Sequence, residues 1–563
     1  MLSILINWLY MGSMVFFSGM ALLQGYGFIM QKVNKSDSRP DFGTGYVLVA
    51  GLLGTVLYAQ IFSLFYRVNI EANILLIALI LFYAIANRKY IRSFFSKRKI
   101  NYGVCALLGL VVLAYAAASA GKAVLIDTHW YHAQTIRWIE ELGCVKGTAN
   151  LFYALGFNNA QHYFDALFSM EWLFGQSLRG TGGFAGLFLM IHGILRLSGF
   201  RKHSRHTADA LAMGEILYSI IVTAFFTEAY VDTLPNALVL FIFTEWFVLL
   251  EKEKNDTSYF GLLCLFGVFA VVLKTSVAMV VCLTAYPVYL FVKQKKVWQI
   301  FLYTGMGFCI CLPYLITNVI VTGYPIYLFS WFDVFPVHWK IDVEVMKYMV
   351  DNMVASARNP AIPMDVALNC GLDWVPVWFR NESISHRILY LGIFALLLFD
   401  VIHMILDLIR KRKPDGWVIF PRICVYMGLV YWFFTIPQVK YCWAFLILPL
   451  VLVPCYYYEH NSGIMEKLLL LLAGGIFVLY AGFYSLRTFG YVKTGITMYP
   501  IMQADYDSYE LEEVEKDGLI FYQRKDGGDI VCGYHVFPYL ENKDSIDRLV
   551  VGDKLKDGFY FRE

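Results

Sequence analysis

Along most of the chain, apolar residues come in unbroken runs separated by short polar stretches, without the period-two alternation of a half-buried strand. Coiled as helices, runs of roughly twenty residues match the ~30 Å apolar thickness of a bilayer. They fall at about residues 3–30, 44–66, 72–87, 102–120, 171–195, 208–227, 236–250, 258–273, 277–292, 298–320, 387–408, 417–436, 443–458 and 467–485. This predicts an all-α polytopic membrane protein of 12–14 transmembrane helices. The lower number applies where short runs are broken, re-entrant segments, which lipid tolerates only inside protein. The first run lacks a basic leader and outlasts a signal-peptide core, so it reads as a retained helix. From about residue 486 the pattern changes: Asp, Glu, Lys and Gly return, and short strand-like runs appear at 519–523, 529–532, 548–551 and 559–561. Residues 1–485 are therefore predicted to form the membrane domain and residues 486–563 a small, partly β domain.

Composition removes the soluble alternatives. Of 563 residues, 59% are apolar and only 16% charged, where a soluble globule carries about a quarter charged residues. The net charge of +3 is small and the basic residues are scattered in short clusters, so nucleic acid is no partner. The eleven cysteines show no Cys-x-x-Cys pair and no Cys/His spacing for zinc, which argues against a disulfide framework or a metal finger. Cys144, Cys370 and Cys532 are expected on one side of the membrane.

Loop charge sets the orientation, because short cytoplasmic loops concentrate Lys and Arg. One alternate set of loops holds 23 of them, from Lys32, Lys35 and Arg39 through Arg410–Lys413 to Lys467, while the short loops of the other set hold only Arg67, Lys274 and Lys440. Both termini, the long loops 121–170 and 321–386 and the C-terminal domain are thus expected outside.

Chemistry-bearing residues are densest where the fourth run ends, from Asp127 to Glu140. At helical spacing Asp127, Tyr131, Gln134 and Trp138 share one face of a surface helix, and Ile136, Ile139 and Leu142 rest on lipid or protein. Two readings compete. In the first, Asp127 caps the helix and Trp130, Tyr131 and Trp138 form an interfacial aromatic belt. In the second, the loop binds a ligand, extended by Gly147–Asn150 and by the amides Asn158 and Asn159. Elsewhere, Glu228 and Asp232 flank Pro235 as a second carboxylate pair or as a solvated loop. Lys274 sits between two apolar spans, where a cation is costly unless used; for Lys440, as for Lys274, the alternative is snorkelling at a helix end. His129 and His132 lack a third ligand, so no metal is assigned, although Glu228, Asp232 and Asp127 around a divalent ion is an open alternative. Cys532 beside His535 suggests a nucleophile; a turn marked by Gly533, in a domain that caps the outer cavity or meets the acceptor, is the preferred reading.

The runs Asp127–Ile139, Val145–Asn150 and Leu155–Asn159 resemble a family of bacterial polytopic membrane proteins with the pattern Asp-Ser-x-x-Tyr-His-x-Gln-x-Ile-x-Trp-Ile, then Gly-Leu-Ala-Asn-Leu, then Arg-Leu-Gly-Phe-Asn-Ser. The resemblance continues through Thr233–Asn236, Lys274–Ser276, Asn318–Tyr327, Pro437–Tyr441 and the tail, with departures at Thr148, Ala154 and Lys440-Tyr441. That family in turn resembles the GT-C glycosyltransferases, in which an acidic residue in an early outer loop acts on the acceptor. The resemblance implies a GT-C-like fold in the bacterial plasma membrane, a polyprenyl-phosphate-linked sugar donor, and a glycan or lipid-linked acceptor. It implies Asp127 as base, Lys274 and Lys440 as phosphate partners, and Trp130, Tyr131 and Tyr324 as sugar or isoprenoid contacts, with His132, Gln134, Asn158, Glu228 and Asp232 as further binding residues. Three further spans precede the one leading to Asp127, where many such enzymes have none. A transporter or flippase, with Lys274, Glu228 and Asp232 as coupling charges, and a polysaccharide polymerase or ligase are the alternative expectations.

Overall fold

The computed structural model describes residues 1–35, 39–96, 101–203, 205–252, 256–410, 416–460, 463–525, 533–540 and 547–561. The run expected to be a strand at 529–532, with Cys532, lies outside them, as do Lys97, Arg98, Lys99, Lys254, Lys411, Arg412 and Lys413 of the basic loops. In chain order the helices are α1 (Leu2–Asn34), α2 (Thr44–Ser63), α3 (Ile70–Ala86), α4 (Arg88–Ser96), α5 (Tyr102–Ala118), α6 (Ala133–Leu142), α7 (Ala160–Phe168), α8 (Glu171–Phe174), α9 (Thr181–Leu197), α10 (Thr207–Ile221) and α11 (Thr233–Glu251). They continue with α12 (Thr257–Leu273), α13 (Ala285–Lys293), α14 (Trp298–Thr322), α15 (Val343–Arg358), α16 (Met364–Asn369), α17 (Trp374–Asn381), α18 (Ile384–Ile409), α19 (Gly416–Phe434), α20 (Trp443–His460) and α21 (Ile464–Met498).

Among the described residues, eight helices are long and apolar enough to cross a membrane, and the bent pair α3–α4 makes a ninth. Five shorter apolar helices, including α5, α9 and α12, fall on the remaining predicted runs. The protein is therefore a mostly helical, multi-span membrane protein. One run is not a single helix: the segment expected at 171–195 breaks after α8, where Gly175 takes φ 68°. Chain resumes as α9 only after Arg179 has donated to the carbonyls of Thr227 (2.6 Å) and Ala504 (2.5 Å). Another, expected at 277–292, is a 3-10 stretch, Thr275–Thr284, leading into α13.

The core is centred on α11, predominantly apolar and almost entirely enclosed, as such a helix must be. By contrast α14, α18 and α21 leave most of their apolar surface outward, toward lipid. Helices α1 and α2 touch backbone to backbone at Gly19 and Gly51. An added Cβ at either would lie 1.8 Å from a carbonyl oxygen of the other helix, Val47 or Val15.

Loops gather at two ends, as their charges predict. At the basic end Asn34 meets Ser258 (2.9 Å) and Gln299 (3.1 Å), and Arg196 pairs with Glu251 (2.7 Å). At the other end the Met1 amine donates to Tyr499 O (2.6 Å), Gly147 N–H to Ile320 O (2.8 Å) and Trp378 Nε1–H to Pro437 O (2.8 Å), bringing together the terminus, both long loops and the tail.

The boundary of the C-terminal region moves. Helix α21 runs on to Met498, and its 35 residues, about 52 Å at 1.5 Å each, outreach the bilayer core. Beyond it stand two antiparallel hairpins, β1 (Leu511–Lys516) with β2 (Leu519–Arg524) and β3 (Leu549–Val551) with β4 (Phe559–Phe561). The first turns through Asp517-Gly518, both at positive φ (50° and 83°), the residue pair a two-residue hairpin favours. Strand β1, Leu-Glu-Glu-Val-Glu-Lys, is absent from the sequence expectation because its acidic residues hide the alternation.

Candidate functional site

The loop after α5 is pinned before it reaches Asp127. Glu228, buried, accepts the backbone N–H groups of Val124 (2.8 Å) and Leu125 (3.3 Å) and the Thr227 hydroxyl (3.2 Å). The solvated-loop reading of Glu228 and Asp232 is thereby corrected, since both are buried. Asp127 then begins a π-helical turn, Thr128–His132, that runs into α6, and its side chain makes no capping hydrogen bond. Instead the carboxylate receives the Lys440 ammonium at 2.9 Å. Lys440 is presented by a 3-10 turn, Val439–Tyr441, between α19 and α20.

A second pair stands beside the first. Lys274, at the C-terminus of α12 in extended backbone (φ −158°), forms an ion pair with Asp232 at 3.1 Å, just before α11. The ring of Tyr441 joins the two: the ammonium groups of Lys440 and Lys274 lie 5.1 and 5.3 Å from its centroid. Asn236 ties this end of α11 to α20, donating to Asp232 O (2.9 Å) and accepting from Ala444 N–H (3.0 Å). Exposure is graded: Asp127 and Lys440 side chains are 34% and 30% exposed, Lys274 22% and Asp232 4%, so the first pair is the reachable one. Against the pull of burial, Tyr441, Asp127 and Asp232 hold the Lys440 ammonium above its ordinary range.

Two imidazoles back the cluster. His132 Nδ1 lies 2.7 Å from His162 Nε2, and the Tyr131 ring lies 4.1 Å from that of His132. Burial, then the charges of Lys274 and Lys440, keep His132 well below the usual imidazole range, so it stays neutral. Around the two ion pairs, Thr128 Oγ1, His162 Nδ1, the Tyr230 hydroxyl, Thr233 Oγ1 and Ser276 Oγ are buried without a hydrogen-bond partner among the described residues. Such atoms call for a water or ligand partner.

The structure thus brings together Asp127, Asp232, Lys274, Lys440, Tyr131 and His132 of the sequence-predicted set. Others go elsewhere. Gln134 donates to the carbonyls of Gly533 (2.7 Å) and Val536 (2.6 Å), holding the tail. Trp130 packs edge-on against Tyr131, Phe152 and Tyr153. Asn158 donates to Thr317 and Asn318 (3.1 and 3.0 Å), fastening its loop to α14. Tyr324 sits in a separate cluster with Ala149, Val321 and Ile341. His129 turns from His132 to the Ala123 carbonyl (3.1 Å). Ile136 and Ile139 rest on protein. His535 faces Asp505 at 3.2 Å, and Cys144 and Cys370 are free thiols.

Three residues of the cluster escape sequence reasoning. Tyr230 lies between Glu228 and Asp232, its only signal, and Tyr441 adjoins Lys440 and entered only as part of the resemblance at Pro437–Tyr441; His162 carried none, since it meets His132 across thirty residues.

Fold and site together define a multi-span helical membrane protein with the Asp127–Lys440 and Asp232–Lys274 pairs side by side at one end. Residues 1–447, which contain the whole cluster, match the family described as Domain of unknown function (DUF8201), and the chain belongs to that family. No curated protein and no solved structure matches it.

Proposed function

We propose that this protein is a GT-C-like membrane glycosyltransferase, moving a sugar from a polyprenyl-phosphate carrier to a surface glycan or lipid-linked acceptor at the outer face of the plasma membrane. The observation that carries the reading is the Asp127–Lys440 pair, a carboxylate turned away from its own helix toward a cation and left partly open. In the reaction the acceptor hydroxyl oxygen attacks the anomeric carbon while the bond from that carbon to the phosphate oxygen breaks. The hydroxyl proton passes to Asp127, and the electron pair leaves on the phosphate, whose charge Lys440 and Lys274 balance. Asp232 fixes Lys274, and the unpartnered hydroxyls of Tyr230 and Thr233 suit a polyhydroxylated ligand. The uneven loop charge supports the outward assignment of this end.

The test is the surface glycan profile of the native host carrying Asp127→Asn, with membrane protein level measured alongside. A missing sugar at normal protein level supports the transferase, and glycan chain lengths separate it from a polymerase or ligase. An unchanged glycan at normal level removes Asp127 and this mechanism together.

A second reading, a transporter or flippase, is favoured by charges inside the helices. His192 meets Glu215 (2.8 Å) and Glu245 (3.2 Å), and Arg422 meets Asp400 (3.4 Å) beside a small pocket lined by Phe247, Pro421 and Tyr426. Intramembrane ionisable groups mark transport paths in many proteins. Flux of a lipid-linked sugar across proteoliposomes, lost in Glu215→Gln, would favour it.

A further inference from the structure

Between α14 and α15 the chain makes an excursion whose two ends are fastened at the same place. At its start Tyr327 is buried, donates to Tyr153 O at 3.0 Å and packs on Phe157. At its return Trp339 Nε1–H donates to Val319 O (3.0 Å) and Ile341 N–H to Thr322 O (3.0 Å), both in the last turn of α14. Between these anchors lies Leu-Phe-Ser-Trp-Phe-Asp-Val-Phe-Pro-Val, residues 328–337. Its large side chains point outward: Trp331 is 79% exposed, Val334 55%, and Phe329, Phe332 and Phe335 are exposed as well. The one charge, Asp333, is matched by Lys340.

Five large apolar side chains on ten residues are a poor surface for water. The loop continues a surface that already faces lipid. Helix α14 exposes Phe301, Phe308, Leu312 and Ile316, at helical spacings of seven, four and four, so its outward stripe leads to the turn from which the loop departs.

We infer that residues 328–337 are a membrane-inserting loop, seated in the lipid leaflet at the site end of the bundle. Trp331 and the three phenylalanines supply the apolar and aromatic groups that settle at the boundary of headgroups and chains. The Asp333–Lys340 pair removes the charge that would otherwise resist entry. Because Tyr327 rests on Phe157, which itself packs on Tyr131 (5.2 Å between centroids), the loop anchors the leaflet beside the ion-pair cluster.

The full chain in nanodiscs, with ordinary or brominated acyl chains, tests this through Trp331 fluorescence, taken as the difference between wild type and Trp331→Phe. The expected result is that brominated lipid removes about half of the Trp331 signal, as for an indole at the interface, while aqueous iodide leaves it. Phe335→Trp in the Trp331→Phe background moves the probe and is expected to be quenched likewise. Quenching by iodide but not by brominated lipid would show a loop standing in water. Protection from both would show one covered by protein, a second copy included. Either result overturns the inference.

Discussion

Glu140 shows how much one carboxyl can govern. It is buried on α6, accepts the Tyr534 hydroxyl (2.5 Å) and the Ser177 hydroxyl (2.9 Å), and so joins the tail to the membrane domain. Burial pushes its carboxyl up to about 7, from an ordinary 4.5. The docked state therefore binds the proton more tightly than the undocked one. Its contribution is fully present below about pH 4.5 and is lost as pH rises to about 7, a loss on the order of 3 kcal/mol. Protease cleavage of the tail is expected to quicken across that window, and Glu140→Gln to flatten the dependence; a wild-type rate constant with pH would refute the linkage. The Asp127–Lys440 pair behaves differently, since a third of each side chain is exposed. On the proposed transferase reading, Lys440→Gln is expected to leave the protein folded and to cut sugar transfer by about a hundredfold or more, the order lost with one charge-stabilising donor. Unaltered transfer in vesicles would remove Lys440 from the site.

At the scale of elements, the placement of the site follows from where helices begin and end. Asp232 precedes α11, Lys274 ends α12, and Lys440 lies between α19 and α20, so three loops deliver the cluster to one end. The π-helical turn at Thr128–His132 departs from the ordinary α-helical spacing that would give Asp127, Tyr131, Gln134 and Trp138 one face. Tyr131 and Trp138 reach the cluster they share with the tail, while Asp127 turns to Lys440. Close helix contact matters as well. Gly51→Val drives side-chain carbon into the Val15 carbonyl. A loss of about 1–3 kcal/mol is expected, as for overpacked cores, read as a lower melting temperature in detergent. Gly25→Ala, where an added carbon meets nothing within 4 Å, is expected to melt as wild type.

For the whole molecule, the two ends are the main organisational fact. An epitope inserted at Pro360 should bind antibody on intact cells, and one at Lys295, an exposed residue of the basic end, only after permeabilisation. The reverse pattern would overturn the outward assignment of the site. The apolar runs sufficed to place the long apolar helices, though not shorter or amphipathic ones such as α7, α15 and α17, because a run long enough for a bilayer has few other uses. Loop charge likewise sorted the loops into the two groups that the fold brings together. Asp127, Lys274 and Lys440 could be picked out because ionisable groups among apolar runs are conspicuous.

What sequence alone determined was therefore of one kind: features carried by neighbouring residues, such as helix runs, loop charge, and the strand-like runs at 519–523 and 559–561. What tertiary structure decided was pairing across long separations. Lys440 meets Asp127 across more than three hundred residues, His162 meets His132, Glu228 holds the loop ahead of Asp127, and Gln134 serves the tail. The physical reason is that hydrophobic burial is sensitive to pattern but indifferent to partner. A hydrogen bond or ion pair depends on distance and direction, which only the packed helices supply.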